Sequence, residues 1–463
     1  MNILVISIAP IFKDYVHGGS QRVLINIMEN LSKKHKIKTY CTKRPDNYKH
    51  FKINDNFEVY PILPFRQFFP FPYMTNPRNL TRIIEIVDKE LEWADCLYLH
   101  ADGYLLKNFL ETDIPIIASY HDFVYPITLS SAFIGSFDQA ILPSEYIEKC
   151  FKYSVGCVYE GVMDRVKTIN NGVDSNIFYS DKSQNERIKK ELGIKEGEKI
   201  ILFPHRPEIS KGIKETLNLL DNLLKSNIRV RLLFPEYIDC KCDDEIIKDY
   251  RLLKNEIIER GLSNNVSFFP WKPYKEMRHL YSLADVTLNI GNFVEAFGLV
   301  PFESLLCETP VIATKAGALR YVLPKNMEGV EIIEYGDMEC LKKNVLKIFR
   351  SKTIDFSEVH KYIKSKFNYE EMLEKYTEVF ENITKKPKLQ KKQFSKYGTY
   401  TLSPWCYISE KGLYDDYQGH FVDIDKNALS ILNSKKILER GDIRKGFESL
   451  IKQNIIVPSK CTK

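Results

Sequence analysis

No apolar run in this 463-residue chain approaches the ~20 residues needed to span a bilayer. The opening stretch, Met1-Asn-Ile-Leu-Val-Ile-Ser-Ile-Ala-Pro10, lacks the basic flank and small-residue cleavage site of a secretion signal, and reads as a buried first strand. The ten cysteines are scattered, and the one tight pair, Cys240-Lys-Cys242, has no second pair at zinc-ligand spacing. Free, mostly buried thiols and a cytoplasmic location are therefore expected. Charge of one sign is also in short supply: a formal +6 does not demand nucleic acid, although it suits an anionic substrate or a membrane surface. The only Asp-x-Asp, Asp423-Ile-Asp425, lies near the C-terminus, where it reads as turn-forming surface carboxylates rather than a metal anchor.

What is present describes a soluble globular protein, with 44% hydrophobic and 28% charged residues. The length suggests roughly three domains. In the first third, short apolar runs alternate with amphipathic stretches. Ile3–Ile8, Cys96–His100, Ile114–Tyr120 and Gln139–Leu142 read as strands, and Ser20–Lys34 carries apolar residues at helical spacing (Val23, Leu24, Ile27, Leu31). The middle third repeats the pattern, with strands expected at Lys199–Phe203, Val230–Phe234, Val266–Phe269, Val286–Asn289 and Val311–Thr314. Such alternation predicts parallel sheets with helices on both faces. The turn-rich stretch Asn170-Asn-Gly-Val-Asp-Ser-Asn-Ile-Phe178 divides the two halves. Two doubly wound domains facing each other leave a cleft at the C-terminal ends of their strands, where such sheets bind ligands.

Three segments could carry chemistry there. His17-Gly-Gly-Ser-Gln-Arg22 follows the first strand and opens the first helix, so Gly18 and Gly19 allow a ligand close to the backbone at a helix N-terminus that favours anions. Alone, it reads equally well as an ordinary loop. Phe203-Pro-His-Arg206-Pro-Glu-Ile-Ser-Lys211-Gly feeds a strand into a loop holding Arg206 and Lys211. Two cations beside a helix start could hold a diphosphate and stabilise its departure, or could be solvated surface charges. In Glu295-Ala-Phe-Gly-Leu-Val-Pro-Phe-Glu303, the stretch Phe297, Gly298 and Leu299 starts a helix whose amides can meet phosphate. Glu295 in the loop and Glu303 in the helix could accept hydrogen bonds from sugar and ribose hydroxyls. Helix capping and solvent exposure are the plain alternatives for each carboxylate.

Taken in order, these segments resemble the retaining GT-B glycosyltransferases of the family-4 type. The two glutamates separated by seven residues look like that family's E-x7-E signature. Tyr120-His-Asp122, Ser144-Glu-Tyr146, Asn171-Gly-Val-Asp174 and Lys366-Phe-Asn-Tyr-Glu-Glu-Met-Leu-Glu-Lys-Tyr376 match further family motifs, and the resemblance covers about residues 1–384. It implies an α/β fold of two Rossmann-like domains, an acceptor domain over 1–178 and a nucleotide-sugar donor domain over 179–384, whose last helix crosses back. It implies that Glu295 contacts the donor sugar and Glu303 the ribose, while Arg206, Lys211 and the amides near Gly298 hold the diphosphate. His121 would lie near the transferred sugar, and Trp271 and Lys272 where the base is read. Pro270 stands where the family often has Gly, which leaves the base open. Retaining, metal-independent transfer is implied, with no cofactor and a UDP-sugar as the favoured donor. A sugar-nucleotide epimerase of the same architecture or a non-catalytic peptide-binding scaffold are the rival readings. The epimerase would need further acid-base carboxylates, and the scaffold would not need Arg206, Lys211 and Glu295.

The acceptor is less legible. The aromatic loop Pro64–Met74 would line an apolar acceptor groove, touch a membrane, or pack on its own domain. Residues 385–397 form a basic run that reads as a linker. Beyond it, 398–463 is expected to be a small α+β, winged-helix-like domain: strand-like Gly398–Ile408, a second strand near Gly419–Asp425, two helices, and Ile455–Val457 closing a wing. It resembles PqqD-like peptide-recognition domains, which implies a ribosomal peptide as acceptor, against a structural or oligomerising appendix.

Overall fold

The computed structural model describes all residues except 14–17, 67–74, 102–110, 122, 135–136, 238–244, 352, 393–397, 440, 444–445 and 460–463. The sequence expectations at His17, Asp122, Cys240, Cys242 and most of the aromatic loop fall outside the described residues.

The continuous apolar run near the N-terminus becomes the strand β1 (Asn2–Ser7), inside a sheet covered on both faces. That sheet also holds β2 (Lys36–Thr42), β3 (Phe51–Asn54), β4 (Phe57–Leu63), β5 (Cys96–His100), β6 (Ile116–Ser119), β7 (Gln139–Leu142) and β8 (Val166–Thr168). Its order is β3-β4-β2-β1-β5-β6-β7-β8, and every pair is parallel except β3 with β4. The second half forms a parallel sheet of β9 (Lys199–Leu202), β10 (Val230–Pro235), β11 (Val266–Phe269), β12 (Val286–Asn289), β13 (Val311–Thr314) and β14 (Val330–Ile333). Its order β11-β10-β9-β12-β13-β14 reverses direction between β9 and β12, the crevice where doubly wound sheets take ligands.

Helix Tyr369–Glu381 returns to the first half. Its Met372, Tyr376, Val379 and Phe380 are buried in one core with Val23, Leu24 and Ile27 of helix Gly19–Leu31. Each such side chain contributes about 1.5–3 kcal/mol of burial, an upper range for area-based values. The two passages of the chain between the halves run side by side. Val173 bridges to Asn368, and a Cβ on Gly172 would fall 2.5 Å from Tyr369 Cα. Only glycine fits there, which explains the turn-rich stretch at the boundary.

The basic run is not a loose tether in its described part. Lys385 Nζ donates to the carbonyls of Thr112 (3.2 Å) and Ile114 (2.9 Å), and Lys392 N donates to Val158 O (2.8 Å). Leu389 is buried, so residues 385–392 lie as a strap along the first half. The C-terminal region then differs from the expected single first strand. Ser403-Pro404-Trp405 breaks it into β15 (Thr399–Leu402) and β16 (Cys406–Ser409), which join different sheets because proline cannot donate to a continuing ladder. With β17 (Gly412–Asp415), β18 (His420–Val422), β19 (Leu438–Glu439) and β20 (Ile456–Pro458), they form the antiparallel sheets β16-β17-β18 and β19-β15-β20. Helices Lys426–Ser434 and Phe447–Lys452 pack on them around Leu413, Leu432, Phe447 and Ile455. Asp425 caps the first of these helices, accepting from Asn427 N and Ala428 N. Six described cysteines are free, whereas Cys157 is disulfide-bonded, a departure from the expectation of free thiols. No helix among the described residues is long and apolar enough to cross a membrane.

Candidate active site

The C-terminal ends of both sheets open on a cleft of about 370 Å³. Gly18, Gly19, His121, Arg206, Lys211, Trp271, Lys272, Glu295, Phe297, Gly298, Leu299 and Glu303 all line it. The sequence placed them up to 285 positions apart; the topology brings them to one crevice.

The loop that carries Glu295 is held tightly. Gly298 adopts φ +85° and caps helix Leu299–Leu306, and a Cβ there would meet Leu319 Cδ2 at 2.6 Å. The carbonyl of Glu295 accepts from Ala318 N at 2.8 Å. Phe293 N donates to Ser210 O at 2.9 Å, tying the Glu295 loop to the Lys211 loop. Gly291 permits that approach, since a Cβ would lie 2.0 Å from Ser210 O. Phe297 differs from a ligand-facing side chain: it is 2% exposed and packs tilted on Phe302 and edge-to-face with Phe367, so its ring belongs to the core.

The charges are paired across this frame. Lys211 Nζ lies 2.7 Å from Glu295 Oε1 and 3.3 Å above the Phe293 ring, and the lysine is buried. Arg206 Nη2 stands 3.5 Å from Glu208. Glu303 is also buried, and accepts from Tyr281 Oη at 2.8 Å and from Arg22. Burial first, and then the Glu303 charge, raise the Tyr281 hydroxyl well above its ordinary range, so it remains a donor. Lys272 pairs with Glu276 at 3.7 Å, beside Trp271. Among the described residues no cluster of three or more His, Cys, Asp or Glu is arranged to hold a metal ion.

His121 follows β6 and is buried, accepting or donating to Tyr376 Oη at 3.3 Å. Burial pushes its pKa down to about 4, leaving a neutral ring at pH 7. His100 stacks 4.8 Å away and is held well below its ordinary value by burial and then by His121. His205, hydrogen-bonded to Leu288 O at 3.0 Å, is lowered to about 3 by burial and then by the Lys211 charge.

Three neighbours were not singled out from sequence. Arg22 lay within the glycine-loop motif, one turn after Gly19, and that spacing could have flagged it. Tyr281 sits on a helix with no local signal of a role, and Tyr376 ends the Lys366–Tyr376 segment, whose resemblance assigned it no role. Tyr376 reaches His121 only because the last helix crosses back.

Two family models match the chain. Glycosyltransferase Family 4 covers residues 17–176, and Glycosyl transferases group 1 covers residues 184–367. A glycosyltransferase of Methanocaldococcus jannaschii is 26% identical over 186 residues, covering 40% of this chain and 45% of that one. A D-inositol 3-phosphate glycosyltransferase of Thermobifida fusca is 30% identical over 177 residues, 38% of this chain and 39% of that one. These matches span less than half of the relatives' length. Among solved structures, sucrose-phosphate synthase of Thermosynechococcus elongatus aligns over 82% of this chain and 98% of its own, with TM-score 0.68 and 17% identity. Anabaena HepE in complex with UDP and glucose aligns over 82% and 99%, with TM-score 0.63 and 16% identity.

Proposed function

The chain belongs to the glycosyltransferase family, its two halves matching two of that family's models in order, and on this premise we propose that it is a retaining, metal-independent glycosyltransferase using a nucleotide-diphosphate sugar. One observation carries the reading: Lys211, Arg206, Glu295 and Glu303 converge on a single cleft at the topological switch point of β9 and β12. UDP-sugar is the favoured donor, in keeping with the HepE complex.

The work divides among these residues. Glu303 accepts the ribose hydroxyls in place of Arg22, with Tyr281 keeping the carboxylate oriented. Arg206, Lys211 and the amides at Gly298 and Leu299 hold the diphosphate. Gly18 and Gly19 leave room on the opposite wall; a Cβ on Gly19 would only touch Leu299 at 3.7 Å, so the protein's own packing does not demand glycine there. Trp271 and Lys272 flank the base. Glu295 meets the sugar hydroxyls, and neutral His121 lies on the sugar's other side. The acceptor oxygen forms its bond to the anomeric carbon on the face from which the diphosphate leaves. The anomeric carbon–oxygen bond to the diphosphate breaks, and a diphosphate oxygen takes the acceptor's proton. Lys211 and Arg206 stabilise the charge that develops on the leaving group.

For the acceptor, a ribosomal peptide is one candidate: β18 is an end strand of the sheet β16-β17-β18 among the described residues, an edge to which an extended peptide could add. Titrating the full chain with candidate leader peptides tests this; absence of saturable binding counts against it. Donor hydrolysis or transfer across nucleotide sugars tests the main reading.

A further inference from the structure

The C-terminal region lies beyond both family models, which end at residues 176 and 367, yet it bonds to the loops that flank the cleft. Its β17–β18 hairpin turns through Asp416-Tyr-Gln-Gly419. Asp415 shapes the turn, its Oδ1 accepting from Tyr417 N (2.9 Å) and Gln418 N (3.1 Å). Gly419, at φ +71°, comes so close to the donor loop that a Cβ would meet Asn292 Nδ2 at 2.8 Å. Asn292 donates to Gly419 O at 3.3 Å.

Asp416 has a fully buried side chain and meets both halves of the molecule at once. It pairs with Arg320 at 2.7 Å, accepts from Tyr146 Oη at 2.7 Å, and accepts from Gly317 N at 3.2 Å. Gly317 is packed on Glu295: a Cβ there would lie 2.5 Å from Glu295 O, the carbonyl that Ala318 N also holds. On the other side, Tyr417 Oη donates to Phe123 O at 3.0 Å, two residues beyond His121. A single hairpin turn therefore grips the backbone that presents Glu295 and the backbone that presents His121. None of its own residues lines the cleft.

We propose that the turn Asp416–Gly419 is a positioning element for the transfer site, with Asp416 fixing the Glu295 loop against the His121 loop. Residues 398–463 are then a working part of the active site rather than a detachable appendix. Its kinetic arm rests on the transferase reading; its structural arm does not. Deleting Asp416 alone strands the buried Arg320 charge and invites unfolding. The informative variants in the full-length chain are Tyr146→Phe, Tyr417→Phe and the paired Arg320→Gln/Asp416→Asn.

Amide hydrogen exchange is read first. The paired variant is expected to exchange the Gly317 and Ala318 amides faster by about tenfold or more, with the amides of β1 and β10 unchanged. Kinetics with a UDP-sugar are read second. We expect kcat to fall by about tenfold while KM for the donor and the affinity for UDP stay within about twofold, because the nucleotide contacts are untouched. The tyrosine variants should show smaller changes of the same kind. Wild-type exchange and kcat in all three variants overturn the proposal. So does uniformly faster exchange with a matching loss of UDP affinity, which marks the turn as general scaffolding. A wild-type protein that turns over no nucleotide sugar refutes the transferase reading instead, and the exchange arm still decides the proposal.

Discussion

At the scale of the residue, buried charges in pairs set the chemistry. Lys211 and Glu295 pair at 2.7 Å, so on the proposed reading a diphosphate and a sugar entering together would replace one ion pair with two matched contacts. Lys211→Ala and Arg206→Ala should each lower kcat by about tenfold or more, read by steady-state assay, because each removes a cation from the leaving group. Histidine burial makes a second prediction. His121 and His205 titrate near 4 and 3 when folded and near their ordinary value of 6.5 when unfolded. Between those values the unfolded chain binds the protons and the folded one does not, so stability is lost as pH falls from about 6.5. The slope should be roughly 1.4 kcal/mol per pH unit for each histidine. Denaturant unfolding at pH 7, 5.5 and 4.5 measures it, and His205→Gln should flatten the dependence.

At the scale of the element, close backbone approaches decide which positions tolerate no side chain. Gly172→Ala pushes a methyl into Tyr369 Cα at 2.5 Å, where both passages between the halves run together. Thermal unfolding should show a loss of more than about 1 kcal/mol, larger than an exposed Gly→Ala exchange gives. Phe380→Ala on the crossing helix should cost about 3–5 kcal/mol, since it empties a core shared with helix Gly19–Leu31. Strands that read as unbroken apolar runs were legible from sequence; β5, β7, β11, β12 and β13 have the expected bounds. Others were hidden for identifiable reasons. Pro61 sits inside β4 where the ladder shifts register, and β2 opens with the exposed Lys36 and the half-buried Lys38. Gly398–Ile408 looked like one strand because its aromatic pattern continues across the Pro404 break.

At the scale of the whole molecule, the ordered motifs were enough to anticipate the cleft and twelve of the residues that line it, because they follow strands whose C-terminal ends must face the crevice. The couplings between distant segments were not legible. Arg22 with Glu303, Tyr376 with His121 and Asp416 with Gly317 join positions far apart in the chain, and nothing in local spacing announces them. The C-terminal region illustrates the gap: its sequence suggested a separate module, and its hairpin turn is bonded to both halves beside the cleft.

The central claim is that Glu295 and its companions bind and transfer a sugar from a nucleotide diphosphate. Turnover of a panel of nucleotide sugars by the wild-type chain and by Glu295→Ala tests it most directly. The account predicts hydrolysis or transfer from at least one donor, with kcat lowered by about tenfold or more in the variant. No turnover of any donor, or a variant indistinguishable from wild type, would contradict it.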